Sequence, residues 1–208
     1  MRSTVPLSIR IIFWITEVIY FLSVLLALGA LVVLIWSRFA EIPDSFNLVI
    51  QSPFVYELEE TGSMVMNGVE YPLTLTKING RIGFPNTPPQ IVQWTLISVW
   101  IVCTLLFMTV RSIRLFIREI RKGHYFDSKN VGRLKHVALW VLSIWLFTRI
   151  YMYSLSEFLP DSLQLPGLQR IAMYDPGSNE IFIVLFLWVL SHIFQKGMEL
   201  QQDNELTV

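Results

Sequence analysis

Three side chains that can carry charge lie inside long apolar runs of the sequence. Glu17 lies about 9 Å into the first run, at 1.5 Å per helical residue. Arg149 lies roughly 18 Å into the third run, and His192 lies about one turn from the end of the fourth. Because a charge in a bilayer core is costly, such groups usually pair with one another or face a polar interior. Ion pairing or ion conduction is the chemistry that these residues indicate.

The depths of these groups suggest which partners they have. Glu17 and His192 lie at similar depth and are candidates for a pair. Arg149 lies nearer the other side, where Glu180, Glu157 or the first long loop suits it better. The simpler alternative is that Arg149 and Glu17 extend to the nearest headgroups and only fix the orientation of their helices.

Motifs of known enzyme classes are absent from the sequence. It has no HExxH, GxSxG, CxxC, phosphate-loop or dinucleotide-binding motif. The three histidines are scattered, and the single cysteine, Cys103, excludes an intrachain disulfide. We therefore predict no catalytic residues, no metal and no cofactor.

Four apolar blocks predict an all-α membrane protein built as a four-transmembrane-helix bundle. The chain has 208 residues, of which 53% are hydrophobic and 15% are charged, against about 25% charged in soluble domains. Helices are expected at about residues 11–36, 91–121, 128–155 and 176–201, in a single domain of residues 1–208. The fourth helix depends on Asp175-Pro176 as a start signal. The alternative is three spans and a re-entrant segment.

Positive charge is concentrated between the second and third blocks. Residues 111–136 carry eight Lys or Arg and two Asp or Glu, whereas residues 37–90 carry three Lys or Arg and six Asp or Glu. The positive-inside rule makes the central loop cytoplasmic, and an even number of spans then puts both termini on the same side. We predict a multi-pass protein of a bacterial inner membrane. Since the net charge is zero, we expect no direct nucleic-acid binding.

The loop at about residues 50–88 predicts a small extracytoplasmic β-hairpin or meander between helices 1 and 2. Asn67-Gly68 and Asn79-Gly80 are dipeptides that favour two-residue hairpin turns. Their flanks are rich in β-branched and aromatic residues. Pro72 is expected on an edge strand or at a bulge.

The predicted cytoplasmic side offers a docking surface. Arg114, Arg118 and Arg121 lie on one face of an amphipathic continuation of the second helix, which ends at Gly123. A new helix starts with Asp127 or Ser128 as its N-cap. The basic face suits anionic lipid headgroups or an acidic surface on a cytosolic protein, beyond its plain topological role. The tail, Gln201–Val208, could add to a sheet edge or fill a carboxylate pocket, or be an ordinary frayed end.

Two stretches on this side carry a recognisable pattern. The matching residues are Gly123, Phe126, Asn130, Arg133, Leu134 and Lys135 in the loop, and Phe194, Gly197, Leu200, Asp203, Asn204, Glu205, Leu206, Thr207 and Val208 in the tail. The pattern resembles a family of small bacterial membrane proteins known as domain of unknown function 2975. That resemblance implies a four-span layout without an established activity. Its members are often encoded beside a small helix-turn-helix regulator, which implies a transcription factor as partner.

The leading interpretation is a non-enzymatic regulator or anchor of a cytosolic partner. The predicted docking residues are Arg114, Arg118, Arg121, Gly123, Phe126, Asn130, Arg133, Gly197, Glu205, Leu206, Thr207 and Val208. The alternative is a small transporter or channel component, with the intramembrane polar residues Glu17, Arg149, Glu180 and His192. Four spans are few for a transporter, so assembly into a homo-oligomer remains open. An intramembrane enzyme is the third interpretation.

Overall fold

The computed structural model describes residues 6–39, 48–52, 54–66, 69–78, 80–84, 87, 89–123, 127–158, 169–173 and 179–206. The elements in chain order are α1 Leu7–Phe39, β1 Leu48–Gln51, β2 Phe54–Met66, β3 Val69–Ile78, β4 Arg81–Phe84, α2 Pro89–Arg121, α3 Ser128–Phe158, β5 Gln169–Met173 and α4 Asn179–Leu206. The chain forms two compact units. One comprises Met1–Glu41, Gln93–Phe147 and Gly177–Val208, and the other comprises Ile42–Val92 and Thr148–Pro176.

All four helices are long and apolar enough to cross a membrane. The spans are Leu7–Phe39, Pro89–Arg121, Ser128–Glu157 and Asn179–Asp203. At 1.5 Å per residue the shortest is about 38 Å long, which exceeds a hydrocarbon core of about 30 Å. The prediction of a four-helix, multi-pass membrane protein is confirmed. The start signal at residues 175–176 lies outside the described residues, which include α4 from Asn179 onward.

The first helix shows how these spans divide between lipid-facing and packing surfaces. Its large apolar side chains, such as Trp14, Val18 and Leu25, are exposed. Its buried side chains are small: Thr16, Ser23 and Ser37. These three are multiples of seven residues apart and therefore share one helical face. Small residues let neighbouring helix backbones approach closely, which is how membrane helices pack without a hydrophobic driving force.

The turn between α2 and α3 is defined by a cap at each helix end. Gly123 has a φ of 89°, and its N–H donates to the carbonyl of Ile120 over 3.0 Å. On the other side, the Asp127 carboxylate accepts the N–H of Lys129 over 3.1 Å, and its carbonyl accepts the N–H of Asn130 over 2.8 Å. The glycine C-cap is confirmed, and Asp127 is the N-cap of α3.

The cap at Gly123 gives a direct test of this turn. We expect Gly123→Ala to lower the free energy of unfolding by about 1 kcal/mol, because an L-residue is strained at positive φ. No neighbouring atom lies within 4 Å of an added Cβ, so the cost is conformational and not steric. Thermal unfolding of the detergent-solubilised protein measures it.

The matched control for this test is Gly132→Ala. Gly132 lies inside α3 without a positive φ, and an added Cβ there also meets nothing within 4 Å. Since alanine is the better helix former, this variant is expected to gain up to about 1 kcal/mol. Shifts of the same sign in both variants would contradict the capping role of Gly123.

Five strands form two small antiparallel sheets. β2 pairs with β3 up to Met66 opposite Val69, so the predicted hairpin between helices 1 and 2 is confirmed. Pro72 lies in β3, an edge strand, as expected. The meander prediction is wrong at the second Asn-Gly, because β4 pairs with β1 and not with β3. There the carbonyl of Gly80 accepts the N–H of Ser52 over 3.0 Å, which ties the chain to the neighbourhood of β1.

A fifth strand joins the hairpin from a distant part of the chain. β5, between α3 and α4, pairs antiparallel with the start of β2, with Phe54 opposite Met173 and Val55 opposite Ala172. The sequence analysis did not predict this strand. The loop before α2 and the loop before α4 therefore contribute to one three-stranded sheet, in the order β3-β2-β5.

Candidate functional site

The carboxylate of Glu17 on α1 binds the guanidinium of Arg114 on α2. Arg114 Nε donates to Glu17 Oε1 over 2.8 Å, and Arg114 Nη2 lies 2.8 Å from Glu17 Oε2. This is the bidentate geometry that arginine forms with carboxylates. The Glu17 side chain is only 14% exposed, and the Arg114 side chain is 27% exposed. The suggested pairing of Glu17 with His192 is wrong, because Arg114 takes this carboxylate and the His192 side chain is exposed on α4.

Aromatic rings extend this contact along α1 and α2. The guanidinium carbon of Arg114 lies 4.1 Å from the ring centroid of Tyr20, whose ring is 5.8 Å from that of Phe107. Further along, the guanidinium carbon of Arg121 lies 4.4 Å from the ring centroid of Phe13. These distances are within the range of cation–π attraction. We call these five residues and Glu17 the α1–α2 contact row.

The spacing of the contact row explains how the two helices fit together. On α1 its members fall at positions 13, 17 and 20, and on α2 at positions 107, 114 and 121. Spacings of three, four and seven residues keep side chains on one helical face. Phe13 contacts Arg121, Glu17 contacts Arg114, and Tyr20 lies beside Phe107. Because the α1 positions rise while the α2 positions fall, the two helices are antiparallel here.

Arg133 on α3 joins that helix to α2. Its Nη1 donates to the carbonyl of Leu115 over 3.1 Å and to Oδ1 of Asn130 over 3.0 Å. Asn130 is fully buried, with an exposed fraction of 0%. A charged donor that is shared between a backbone carbonyl and a buried amide fixes the start of α3 against α2.

The fourth helix also contacts the same part of α2. The rings of Phe116 and Phe194 lie 5.7 Å apart in an edge-to-face arrangement. Residues 107–121 of α2 therefore contact α1, α3 and α4. We call the region formed by residues 7–20, 107–121, 128–138 and 191–206 the basic end of the helices.

The cations of the basic end fall into two groups. Arg114 and Arg133 bind inside the protein, although both were predicted as docking residues. The exposed cations are Arg10, Arg111, Arg118, Arg121, Lys129 and Lys196, together with Lys122, which directly follows this region; Lys135 is half-buried and belongs to neither group. Two of these make short-range surface pairs, Lys122 with Glu119 at 2.8 Å and Lys196 with Glu199 at 2.6 Å. Such surface pairs add little stability and leave the cations accessible.

The other predicted site residues lie elsewhere in the fold or outside the described residues. Arg149 is half-buried on α3, and Glu180 is half-buried in the first turn of α4. They belong to different units, so their pairing stays a prediction. Gly197 is half-buried on α4. The α4 helix continues through Glu205 and Leu206, whereas Phe126, Thr207 and Val208 lie outside the described residues.

Hydroxyl groups in the spans bond within their own helices. Thr16, Ser98, Thr104 and Thr109 each donate to the carbonyl four residues earlier, over 2.7 to 2.9 Å. This local bonding satisfies a hydroxyl without a partner on another helix. Among the residues that the structure describes, no cluster of His, Cys, Asp and Glu is arranged to hold a metal ion.

Sequence reasoning missed the partner of Glu17 because it assigned Arg114 to the surface. The signal that could have found the pair is a comparison of spacings on the two helices. Arg114 and Arg121 are seven residues apart, and Phe13, Glu17 and Tyr20 on α1 also lie on one helical face across seven residues. Charge alone does not separate these two arginines from Arg111 and Arg118. Only the face that meets α1 does so.

Comparison with known proteins identifies the family. No curated protein and no solved structure matches the chain. A protein-family match covers residues 59–208, which is 150 of the 208 residues. It starts within β2 and includes α2, α3 and α4, and with them the α2–α3 turn and the tail. The chain belongs to the family described as Protein of unknown function (DUF2975).

Proposed function

We propose that this protein is a non-enzymatic anchor or regulator that holds a cytosolic partner at the membrane. The partner binds the docking surface, which we define as Arg121, Lys122 and Lys129 around the α2–α3 turn. In this proposal the protein lies in a bacterial inner membrane with both termini in the cytoplasm. The excess of Lys and Arg around the turn supports that orientation.

The observation that carries the proposal is the division of cations at the basic end. Arg114 and Arg133 are held by internal contacts and fix the helices on both sides of the turn. The three cations of the docking surface are exposed at the last turn of α2 and the first turn of α3. Two helix ends that are held by internal contacts and present exposed positive charge suit an acidic protein surface, since complementary charge steers and orients association.

The proposed class of partner rests on what the sequence resemblance implies. The sequence pattern that resembles this family implies a small helix-turn-helix regulator, and the match over residues 59–208 includes the turn. Such a regulator would contact the docking surface with acidic side chains, which leaves its basic DNA-binding face available. Holding a transcription factor at the membrane would limit its access to DNA.

The test is capture of the partner by tagged full-length protein from cells that encode both. The variant R121Q/K122Q/K129Q is expected to retain about a tenth or less of the regulator that the unmodified protein captures, which corresponds to about 1.4 kcal/mol. The control, R38Q/R81Q, removes two exposed cations away from the basic end and should change capture less than twofold.

Two outcomes would overturn the proposal. One is full capture by R121Q/K122Q/K129Q, which would show that the docking surface is not used. The other is that the unmodified protein captures no helix-turn-helix regulator. Thermal unfolding of the triple variant within about 1 kcal/mol of the unmodified protein is the check that lost capture does not reflect lost folding, since the exposed contact of Arg121 with the Phe13 ring is worth about 0.5 to 1 kcal/mol.

A further inference from the structure

Two exposed arginines of α2 lie on a face of their own. Arg111 and Arg118 are seven residues apart and therefore share one side of the helix. They lie about 40 to 80° around the axis from Arg114 and Arg121, which contact α1. Neither Arg111 nor Arg118 belongs to the docking surface proposed above.

Arg111 lies at a level where its surroundings are apolar. Along α2 it stands between Phe107 and Arg114, and both of these contact Tyr20 of α1. Exposed side chains of α1 near this level, Val18 and Phe21, are apolar. A guanidinium exposed there is unfavourable unless it extends along the helix to an anion or to water.

The nearby carboxylates on α1 and α2 are already engaged. Glu17 is bound by Arg114, and Glu119 by Lys122. Arg118 lies about 10 Å from Arg111 along the helix axis, toward the end of α2. The guanidinium of Arg111 can therefore extend in the direction of Arg118, and the two positive charges converge on the headgroup level. Trp14, exposed on α1 and next to Phe13, is of the residue type that prefers the headgroup level, and Phe13 contacts Arg121, about one turn beyond Arg118.

We propose that Arg111 and Arg118 bind the headgroup of an anionic phospholipid from the membrane side of α2. Arginine binds phosphate oxygens through two parallel N–H donors, which suits a phosphodiester. A zwitterionic lipid also offers a phosphate, but its choline or ethanolamine cation opposes the two arginines. The site therefore prefers a headgroup with net negative charge, such as phosphatidylglycerol. This inference stands independently of the proposed cytosolic partner.

The experiment titrates purified full-length protein in detergent with phosphatidylglycerol whose acyl chains are brominated, and follows quenching of tryptophan fluorescence. The unmodified protein should bind this lipid at least tenfold more tightly than brominated phosphatidylcholine. R111Q/R118Q should lose about tenfold in affinity for phosphatidylglycerol. The control R38Q/R81Q removes the same charge from two exposed positions outside the basic end and should stay within about twofold of the unmodified protein.

Several results would overturn the lipid site. They are unchanged phosphatidylglycerol binding by R111Q/R118Q, an equal loss in R38Q/R81Q, equal binding of phosphatidylcholine, or full competition by millimolar inorganic phosphate. If R111Q/R118Q does not fold, R111K/R118K keeps the charge and replaces it in the test. That variant should bind about threefold more weakly, because lysine lacks the bidentate geometry, and unchanged affinity would count against the site.

Discussion

Replacement of Glu17 by Gln is expected to lower the free energy of unfolding by about 2 to 3 kcal/mol. The change leaves the guanidinium of Arg114 between two helices, 4.1 Å from the ring of Tyr20, without its counter-charge. Removing one partner of a largely buried pair is more harmful than removing both, because the remaining charge keeps its desolvation cost. We place the effect below that of a fully buried pair because Arg114 is 27% exposed.

A double-mutant cycle isolates the energy of this contact. Glu17→Gln, Arg114→Gln and the double variant are unfolded by titration with a denaturing detergent. The double variant should be less destabilised than the sum of the two single ones, by about 1 to 2 kcal/mol. The control cycle uses Lys196 and Glu199, whose pair is also short, at 2.6 Å, but lies on the surface. That cycle should give no more than about 0.5 kcal/mol.

The result bears on how α1 is held in the bundle. The outer surface of α1 is exposed, and its buried side chains are small. The contact row therefore supplies the specific interactions that the helix makes with α2 at the basic end. Additive single substitutions would show that Glu17 and Arg114 reach water or headgroups independently, and that the contact row does not set the position of α1.

The four spans could be predicted because membrane insertion depends on local composition. Twenty or so apolar residues are required to cross the bilayer whatever the rest of the chain does. The β2–β3 hairpin was predictable for a similar reason, since a two-residue Asn-Gly turn acts on adjacent residues. The capping roles of Gly123 and Asp127 are equally local. Even so, every helix is longer than its apolar block, because polar residues continue helices into the interfaces.

Partners that are distant in the chain could not be predicted. β5 pairs with β2, although more than a hundred residues separate them in the chain. β4 pairs with β1 and not with β3, which directly precedes it. Glu17 and Arg114 are 97 residues apart. These pairings depend on how the helices are arranged in three dimensions, which hydropathy and turn signals do not encode. For the same reason the sequence placed Arg114 and Arg118 in one group, whereas the contact with α1 separates them.

The last prediction concerns Asn130, which is fully buried at the start of α3. We expect Asn130→Ala to lower the free energy of unfolding by about 2 kcal/mol, because it removes the acceptor for Arg133 and leaves that donor less well satisfied. Detergent unfolding measures the change. The adjacent Lys129→Ala alters an exposed side chain of the same helical turn and should shift stability by no more than about 0.5 kcal/mol.

The same two variants separate positioning from docking within one turn of helix. Lys129 belongs to the docking surface, so Lys129→Ala should weaken partner capture while leaving stability unchanged. Asn130→Ala should weaken stability first, and it should affect capture only as far as the α2–α3 turn loosens. Because Arg133 also binds the carbonyl of Leu115, Arg133→Ala should cost at least as much as Asn130→Ala, and the double variant should cost less than the sum of the two. Fully additive losses would contradict a shared Asn130–Arg133–Leu115 contact and would remove the fixed start of α3 on which the docking proposal depends.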